Sequence, residues 1–170
     1  MADQILTANR LRELLDYNPE TGLFTHRLAR SGVQAGTIAG SVSNVGYIYI
    51  RVDGKKYSAH RLAFLHVTGV FPSKCVDHID GNRKNNVFAN LRLATISQNS
   101  FNAIKRADNT SGCRGVSWIK AERKWVTRAY IDGKEIRLGR YSAYEDAAAA
   151  YVSFAEEHHG DFYRDVATQI

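Results

Sequence analysis

The run Val76-Asp77-His78-Ile79-Asp80-Gly81-Asn82-Arg83-Lys84-Asn85-Asn86, continuing through Asn90-Leu91-Arg92 to Asn99, holds the residue types best suited to chemistry. A carboxylate stands beside an imidazole. A turn rich in Asn and Gly follows, and a carboxamide closes the stretch at a helix start. Hard oxygen ligands suit a divalent cation, and Asp77 and the Asn99 amide oxygen can supply them. An imidazole titrates near neutrality, so His78 is the candidate base for a water nucleophile. Metal-assisted cleavage of a phosphodiester is the chemistry this set serves. An isolated Asp-His pair is more often an ion pair or a turn feature; the whole stretch points further.

Strands and a helix must position these groups. Cys75 to Ile79 reads as a strand, and Leu91 to Ala94 as a second, shorter one. Successive strand residues point to opposite faces, so Asp77 and His78 face one metal only from a bulge or a strand end. Thr95-Ile96-Ser97-Gln98 has the form of a capping box and opens a helix with Asn99 in its first or second turn. A helix start carries partial positive charge and favours a nearby phosphate.

Upstream, residues 5–16 read as a helix capped by Thr7, with Leu6 and Leu11 as a hydrophobic staple and Leu11, Leu14 and Leu15 buried. Asn18 to Gly22 is a turn, and Leu23 to Leu28 a strand. Residues 29–46 read as loop with short extended pieces. Tyr47 to Val52 and Lys55 to Tyr57 form a hairpin about the Asp53-Gly54 type I′ turn. Ser58 caps a helix that runs to Gly69, with His60 and Arg61 in its first turn. Packing or phosphate contact is the reading for both, rather than catalysis. His66 falls at a helix end for structural reasons.

The chain has 170 residues, 44% of them hydrophobic, and a net charge of +6. No apolar run approaches the roughly 20 residues that span a bilayer, and the start lacks the features of a secretion signal. No membrane role is expected. Cys75 and Cys113 stand apart and suggest neither a disulfide framework nor a zinc knuckle, which fits a reducing cytosol. Residues 105–140 hold ten Lys or Arg against four acids and so account for the whole net charge. A localised basic field favours a polyanion such as nucleic acid.

Residues 103–112 lose apolar periodicity and read as a linker. Asn109-Thr110-Ser111 has the form of a glycosylation acceptor, which a cytosolic protein does not use. Beyond it, Arg114 to Trp118, Lys124 to Ile131 and Lys134 to Leu138 read as three strands. Asp132-Gly133 is the second hairpin turn. Ser142-Ala143-Tyr144-Glu145 opens a helix to about His158 as a capping box, and Gly160 stops it. One helix covers one face of such a sheet and leaves the other to a partner. Alternation puts Arg128 and Tyr130 on one face, against Thr127, Ala129 and Ile131 on the other, and Arg137 alternates in the same way. Arginine suits guanine edges and phosphates. Trp118 and Trp125 stack or pack, with at least one in the core.

The Asp77-His78-Ile79-Asp80-Gly81-Asn82 run, with Asn85-Asn86, Asn90-Leu91-Arg92 and Asn99, resembles the HNH motif of phage and intron homing endonucleases. The resemblance implies a ββα-metal unit with its core at residues 75–102, inside a nuclease domain over 1–102. It implies Asp77 and Asn99 as metal ligands, His78 as general base, and Asn90 as the residue that holds the inter-strand loop by bonding backbone. Asn99 stands where many relatives have His, which favours one magnesium or manganese ion over zinc. Residues 113–170 resemble the plant ethylene-response-factor, or APETALA-type, DNA-binding domain through Arg114-Gly115-Val116, Lys124-Trp125, Leu138-Gly139 and Ala147-Ala148-x-Ala150-Tyr151. By position Arg114 falls on a contact residue of that family. Arg128, Tyr130 and Arg137 fall on sheet-face contact positions, and Lys134 adds to the same basic strand.

Together these readings give an α+β chain: a ββα-metal domain, then a small three-stranded antiparallel sheet with one helix. The function expected is site-directed cleavage of double-stranded DNA, with no small-molecule cofactor. The absence of a dimer signal favours a monomer on DNA that nicks rather than cuts both strands. A phage gene product acting in the bacterial cytoplasm fits the resemblance. The alternative is a sequence-specific DNA-binding regulator without catalysis.

Overall fold

A computed structural model gives the fold and describes residues 6–30, 32–101, 109, 111–131 and 133–162. It is an α+β protein of small antiparallel sheets and helices. Ile5 of the first helix, most of the expected linker, Asp132 of the second hairpin turn and the end of the 113–170 domain lie outside the described residues. The chain divides into two compact units, Met1–Ala94 and Thr95–Ile170. No helix among the described residues is long and apolar enough to cross a membrane.

In the first unit, α1 (Ala8–Leu14) begins at Thr7, whose Oγ1 accepts the Arg10 N–H at 3.2 Å. The sequence continues this helix to residue 16. Instead, Leu15 leaves the helix and β1 (Leu15–Asn18) pairs antiparallel with β2 (Leu23–His26). Leu15 and Tyr17 face the core while Asp16 and Asn18 are exposed, so pairing with β2 overrides local helix preference. Asn18 Oδ1 closes the turn by accepting the N–H groups of Glu20 and Thr21 at 2.9 and 3.2 Å.

The short β3 (Ser41–Val42), β4 (Ile48–Val52) and β5 (Lys55–Ser58) form a three-stranded sheet. Asp53 and Gly54 both have positive φ, 45° and 79°, as a type I′ hairpin requires. Next, α2 (Ala59–Thr68) packs on the hairpin and on α1. Ser58 occupies its N-cap without a side-chain cap bond, and Gly69 ends it in the left-handed region. Leu11, Phe24, Ile50, Leu62 and Leu65 are each 2% exposed or less and centre the core. Each such side chain contributes about 1.5–3 kcal/mol through burial. The unit ends with β6 (Cys75–His78) and β7 (Leu91–Ala94), an antiparallel pair in unbroken register.

The second unit begins with α3 (Ile96–Phe101). Its capping box is formed: Thr95 N–H donates to Gln98 Oε1 at 2.9 Å, and Gln98 N–H to Thr95 Oγ1 at 3.1 Å. A three-stranded sheet follows, ordered β10 (Lys134–Tyr141), β9 (Lys124–Ile131), β8 (Val116–Ile119), with α4 (Tyr144–His159) on one face. Val116, Ala129, Ala147, Tyr151 and Ala155 form its core. Alanines let helix and sheet approach closely enough for the buried Thr127 hydroxyl to donate to the Ala147 carbonyl at 3.0 Å. Two expectations need correction. The third strand runs past Leu138 to Tyr141 through a bulge. The cap of α4 is Ala143, with no side-chain cap bond, because the Ser142 hydroxyl accepts from Lys124 Nζ instead.

Gly22 ties the β1–β2 turn to the loop that carries the site. Its φ is +71°, and a Cβ there would meet the Asn86 carbonyl carbon and Val87 nitrogen at 2.4 Å. Gly36 has a similar φ of +81° with open space around it. Gly36→Ala is therefore expected to cost about 1 kcal/mol of unfolding free energy in urea titration, from backbone conformation alone. Gly22→Ala is expected to cost more than about 2 kcal/mol, because backbone must also move; equal costs would show that the two segments are not in contact.

Candidate active site

The β6–β7 pair resolves the alternation problem by ending where it does. Asp77 is an ordinary strand residue, and His78 is the last residue of β6. Both are buried, at 6% and 4% exposure. A buried carboxylate needs a counter-charge, and the register supplies it. Asp77 lies opposite Arg92, whose guanidinium Nε and Nη2 both stand 3.0 Å from Asp77 Oδ2.

His78 is held by Asn86, itself 1% exposed. Asn86 Nδ2 donates to the Lys84 carbonyl at 3.2 Å, so its Oδ1 faces His78 Nε2 at 3.1 Å. An amide oxygen only accepts, which makes Nε2 the protonated nitrogen and Nδ1 the lone-pair nitrogen of the neutral ring. The Tyr17 hydroxyl donates to the Asn86 carbonyl at 2.7 Å and anchors this loop to β1. Burial lowers the proton affinity of His78, and Arg83 adds to this; the Asn86 bond and the charges of Asp80 and Asp77 oppose it. The ring therefore rests in its neutral, proton-accepting form.

The loop between the strands folds around Asp80 and Asn90. Asn90 Oδ1 accepts the Asp80 N–H at 3.0 Å, and Asn90 Nδ2 donates to the Asn85 carbonyl and to Asp80 Oδ1, each at 2.9 Å. Asn85 Nδ2 reaches Asp80 Oδ2 at 2.7 Å, and the Asn82 N–H reaches Asp80 Oδ1 at 2.8 Å. Burial alone would raise the Asp80 pKa, but these donors outweigh it and hold the carboxyl below its usual range.

A wall of rings closes one side of His78. The His60 ring meets it edge-on at 5.0 Å between centroids, and the Tyr47 ring lies 5.3 Å from His60 and 6.1 Å from His78. His60 is 7% exposed and its Nδ1 has no hydrogen-bond partner. Arg61 serves the scaffold: it donates to the carbonyls of Pro72 and Lys74 at 2.7 and 3.2 Å and lies over the Phe71 ring. At the far end of α2, Arg12 donates to the His66 carbonyl.

Asp77, His78 and Asn90 are thus gathered in the first unit, and Asn99 lies on α3 in the second, half-buried. Among the described residues, no group of three or more His, Cys, Asp or Glu is placed to hold a metal ion. In the second unit Arg128, Tyr130 and Arg137 share the sheet face away from α4, with Glu135 among them. Glu135 lies 3.7 Å from Arg128 and 3.2 Å from Arg137, and accepts from the Tyr130 hydroxyl at 3.0 Å. Arg140 pairs with Glu122 at 2.9 Å. Lys134 is exposed at the start of β10, and Arg114 is half-buried and hydrogen-bonds the Tyr151 phenol of α4. Trp125 is partly buried and packs against the core, its ring centroid 5.1 Å from those of Trp118 and Tyr144. Sequence reasoning did not assign the roles of Arg92, Asn86 and Tyr47. A cross-strand register would have paired Arg92 with Asp77; nothing in sequence marks Tyr47.

Strand, loop and strand, with an Asp-His pair ending the first strand and a capped helix following in sequence, make this an α+β protein built on a ββα motif. Residues 57–101 match the family described as HNH endonuclease. The chain is 38% identical to Protein 3.8 of Escherichia phage T7 over 89 residues, which cover 52% of this chain and 73% of that protein. It is 36% identical to an uncharacterized HNH endonuclease of Acanthamoeba polyphaga mimivirus over 115 residues, 66% of this chain and 59% of that one. A solved structure of the HNH homing endonuclease I-HmuI, concerned with DNA binding and cleavage, aligns with a TM-score of 0.40 and 21% identity over 86% of this chain and 85% of that one. Residues 57–101 of this chain are thus an HNH endonuclease domain.

Burial of His60 makes stability depend on pH. Burial, then the charges of His78 and Arg61, lowers its pKa from 6.5 to about 3. Between those values the unfolded chain binds a proton that the folded chain does not. Stability is full above the unfolded value and falls as pH drops below it, by up to about 1.4 kcal/mol per pH unit. In urea titrations from pH 7 to pH 4, His60→Phe is expected to flatten this dependence; an unchanged slope would place the proton uptake elsewhere.

Proposed function

We propose that this protein is a site-directed DNA endonuclease of the HNH homing type. It hydrolyses one phosphodiester of double-stranded DNA with a divalent ion and His78 as general base. The observation that carries this reading is the buried His78, set in its neutral tautomer by Asn86 beside the Asp77 carboxylate. Deprotonating a water requires an imidazole lone pair, and with Nε2 protonated that lone pair is on Nδ1. Asn90 acts by fixing the loop, through its bonds to the Asp80 N–H and the Asn85 carbonyl.

Asp77 and Asn99 would hold the ion. The donor set fits magnesium or manganese: an anionic oxygen and an amide oxygen, with no thiolate. Arg92 engages Asp77 through Oδ2, and a carboxylate has acceptor capacity for a cation as well. When bound, the ion would polarise the scissile phosphate and stabilise the leaving 3′ oxygen. His78 takes the proton of the attacking water, and the products carry 5′-phosphate and 3′-hydroxyl ends.

The segment from residue 113 would hold the duplex as an APETALA-type module, with residues 103–112 as the linker from a nuclease domain over 1–102. Its open sheet face presents Arg128, Tyr130 and Arg137; Lys134 at the start of β10 and Arg114 ahead of β8 complete the proposed DNA contacts. A monomer acting on one strand produces nicks. Action in the cytoplasm of a bacterial host, on phage or host DNA, completes the reading.

The test is cleavage of supercoiled plasmid with magnesium, manganese or chelator. Metal-dependent conversion to open circle is expected, and His78→Ala is expected to abolish it while gel-shift affinity stays the same. Binding without cutting by the wild type would instead favour the non-catalytic regulator. Glu135 masks two arginines of the sheet face in the free protein, so Glu135→Gln is expected to tighten DNA binding several-fold at low salt and to steepen its salt dependence. Unchanged affinity would argue that DNA does not use this face.

A further inference from the structure

Arg83 follows the Asp80–Asn82 turn, in the loop after His78. Its guanidinium lies over the Tyr47 ring, 4.9 Å from the centroid. Its Nη1 donates to the Val45 carbonyl at 2.8 Å. Among the described residues no carboxylate pairs with it, in contrast to Arg92 on Asp77 and to Arg128, Arg137 and Arg140 on their glutamates. Tyr47, on which it stacks, belongs to the ring wall against His78. A cation is therefore fixed beside the candidate base by stacking and by one hydrogen bond, with other N–H donors uncommitted.

We propose that Arg83 is a further catalytic residue, whose guanidinium contacts a non-bridging oxygen of the scissile phosphate and stabilises the charge that builds there during attack. This rests on the nuclease reading of the same site. The chemistry fits the group. A planar guanidinium matches phosphate oxygens, and a donor held in place before reaction loses little on reorganising. Tyr47 restrains the side chain without neutralising it, as a carboxylate would. A stacked arginine in a loop could instead serve only to clamp residues 45–47 to the loop after β6. The two roles separate by readout: a clamp made by the ring contact and the Val45 bond sets loop position and so affinity and stability, whereas phosphate stabilisation sets the rate of the cleavage step.

The experiment is single-turnover cleavage, at saturating protein, of a duplex that the wild type cuts, with the dissociation constant for the same duplex measured alongside. Arg83→Ala is expected to slow cleavage by about 100-fold, with affinity within about threefold. Arg83→Met keeps an unbranched stem without the cation and should be equally slow, while Arg83→Lys should recover part of the rate. Added guanidinium ion at non-denaturing concentration should partly restore Arg83→Ala and leave His78→Ala inactive. Wild-type rates in Arg83→Met, or a loss confined to affinity, would overturn the proposal while leaving the nuclease reading intact. A wild type that binds DNA but cuts none would overturn both.

Discussion

The burial of Asp77 is the constraint on which the first unit's site depends. An isolated carboxylate at 6% exposure would be strongly disfavoured, so the fold must bring a cation to it. It does so through the simplest device a strand pair has, the residue directly opposite. Arg92 is itself 15% exposed, so the pair is held in a low-dielectric setting, where removing one partner is far more costly than the pair is favourable. This explains why β6 and β7 keep an unbroken register even though each is only four residues long. A slip by one residue would leave Asp77 unpaired and turn Val76 and Leu91 out of the core.

The loop between those strands solves a second problem. It must hold an imidazole in one tautomer at the edge of a small core, without a helix or strand to do so. Carboxamides suit this because each offers donor and acceptor on one short side chain. Asn90 bonds the loop at both ends, Asn85 reaches Asp80, and Asn86 turns its oxygen to His78. Every one of these bonds is local, and they are anchored to the core at Tyr17 and Gly22. The loop is thereby rigid through polar bonds where a larger domain would use apolar packing.

Much of this was legible in the sequence, because it rests on local rules. The Asp53-Gly54 turn, the Thr95–Gln98 capping box, Gly69 and the β9 span follow from residue types a few positions apart. What the sequence could not show came from long-range pairing. Leu15 and Asp16 fall within the expected helix, yet they begin a strand because β2 lies beside them. Ser142 looks like a cap, yet its hydroxyl serves Lys124 across the sheet. In the site, Asp77 and His78 follow from residue type, and Asn90 from the resemblance to the HNH motif. Arg92 needed a register, and the meeting of Tyr47, His60 and His78 needed the packing of three separate segments.

The arginines of the open sheet face and Arg83 near His78 are held differently, and the difference bears on what each can do. On the open sheet face, Arg128, Arg137 and Tyr130 converge on Glu135, and Arg140 on Glu122. Such exposed pairs are weak and screened by salt, so a phosphate backbone can compete for the arginines at small cost. That suits reversible contact with DNA, where counter-ion release drives binding. Near His78 the cation is arranged in the opposite way. Arg83 rests on a ring and one carbonyl and, among the described residues, has no carboxylate paired with it. A face that must bind and release can be self-neutralised, whereas a group that must stabilise transient charge is better held ready. Under the proposed function, the placement of acids beside one set of arginines and not the other divides holding the duplex from acting on it.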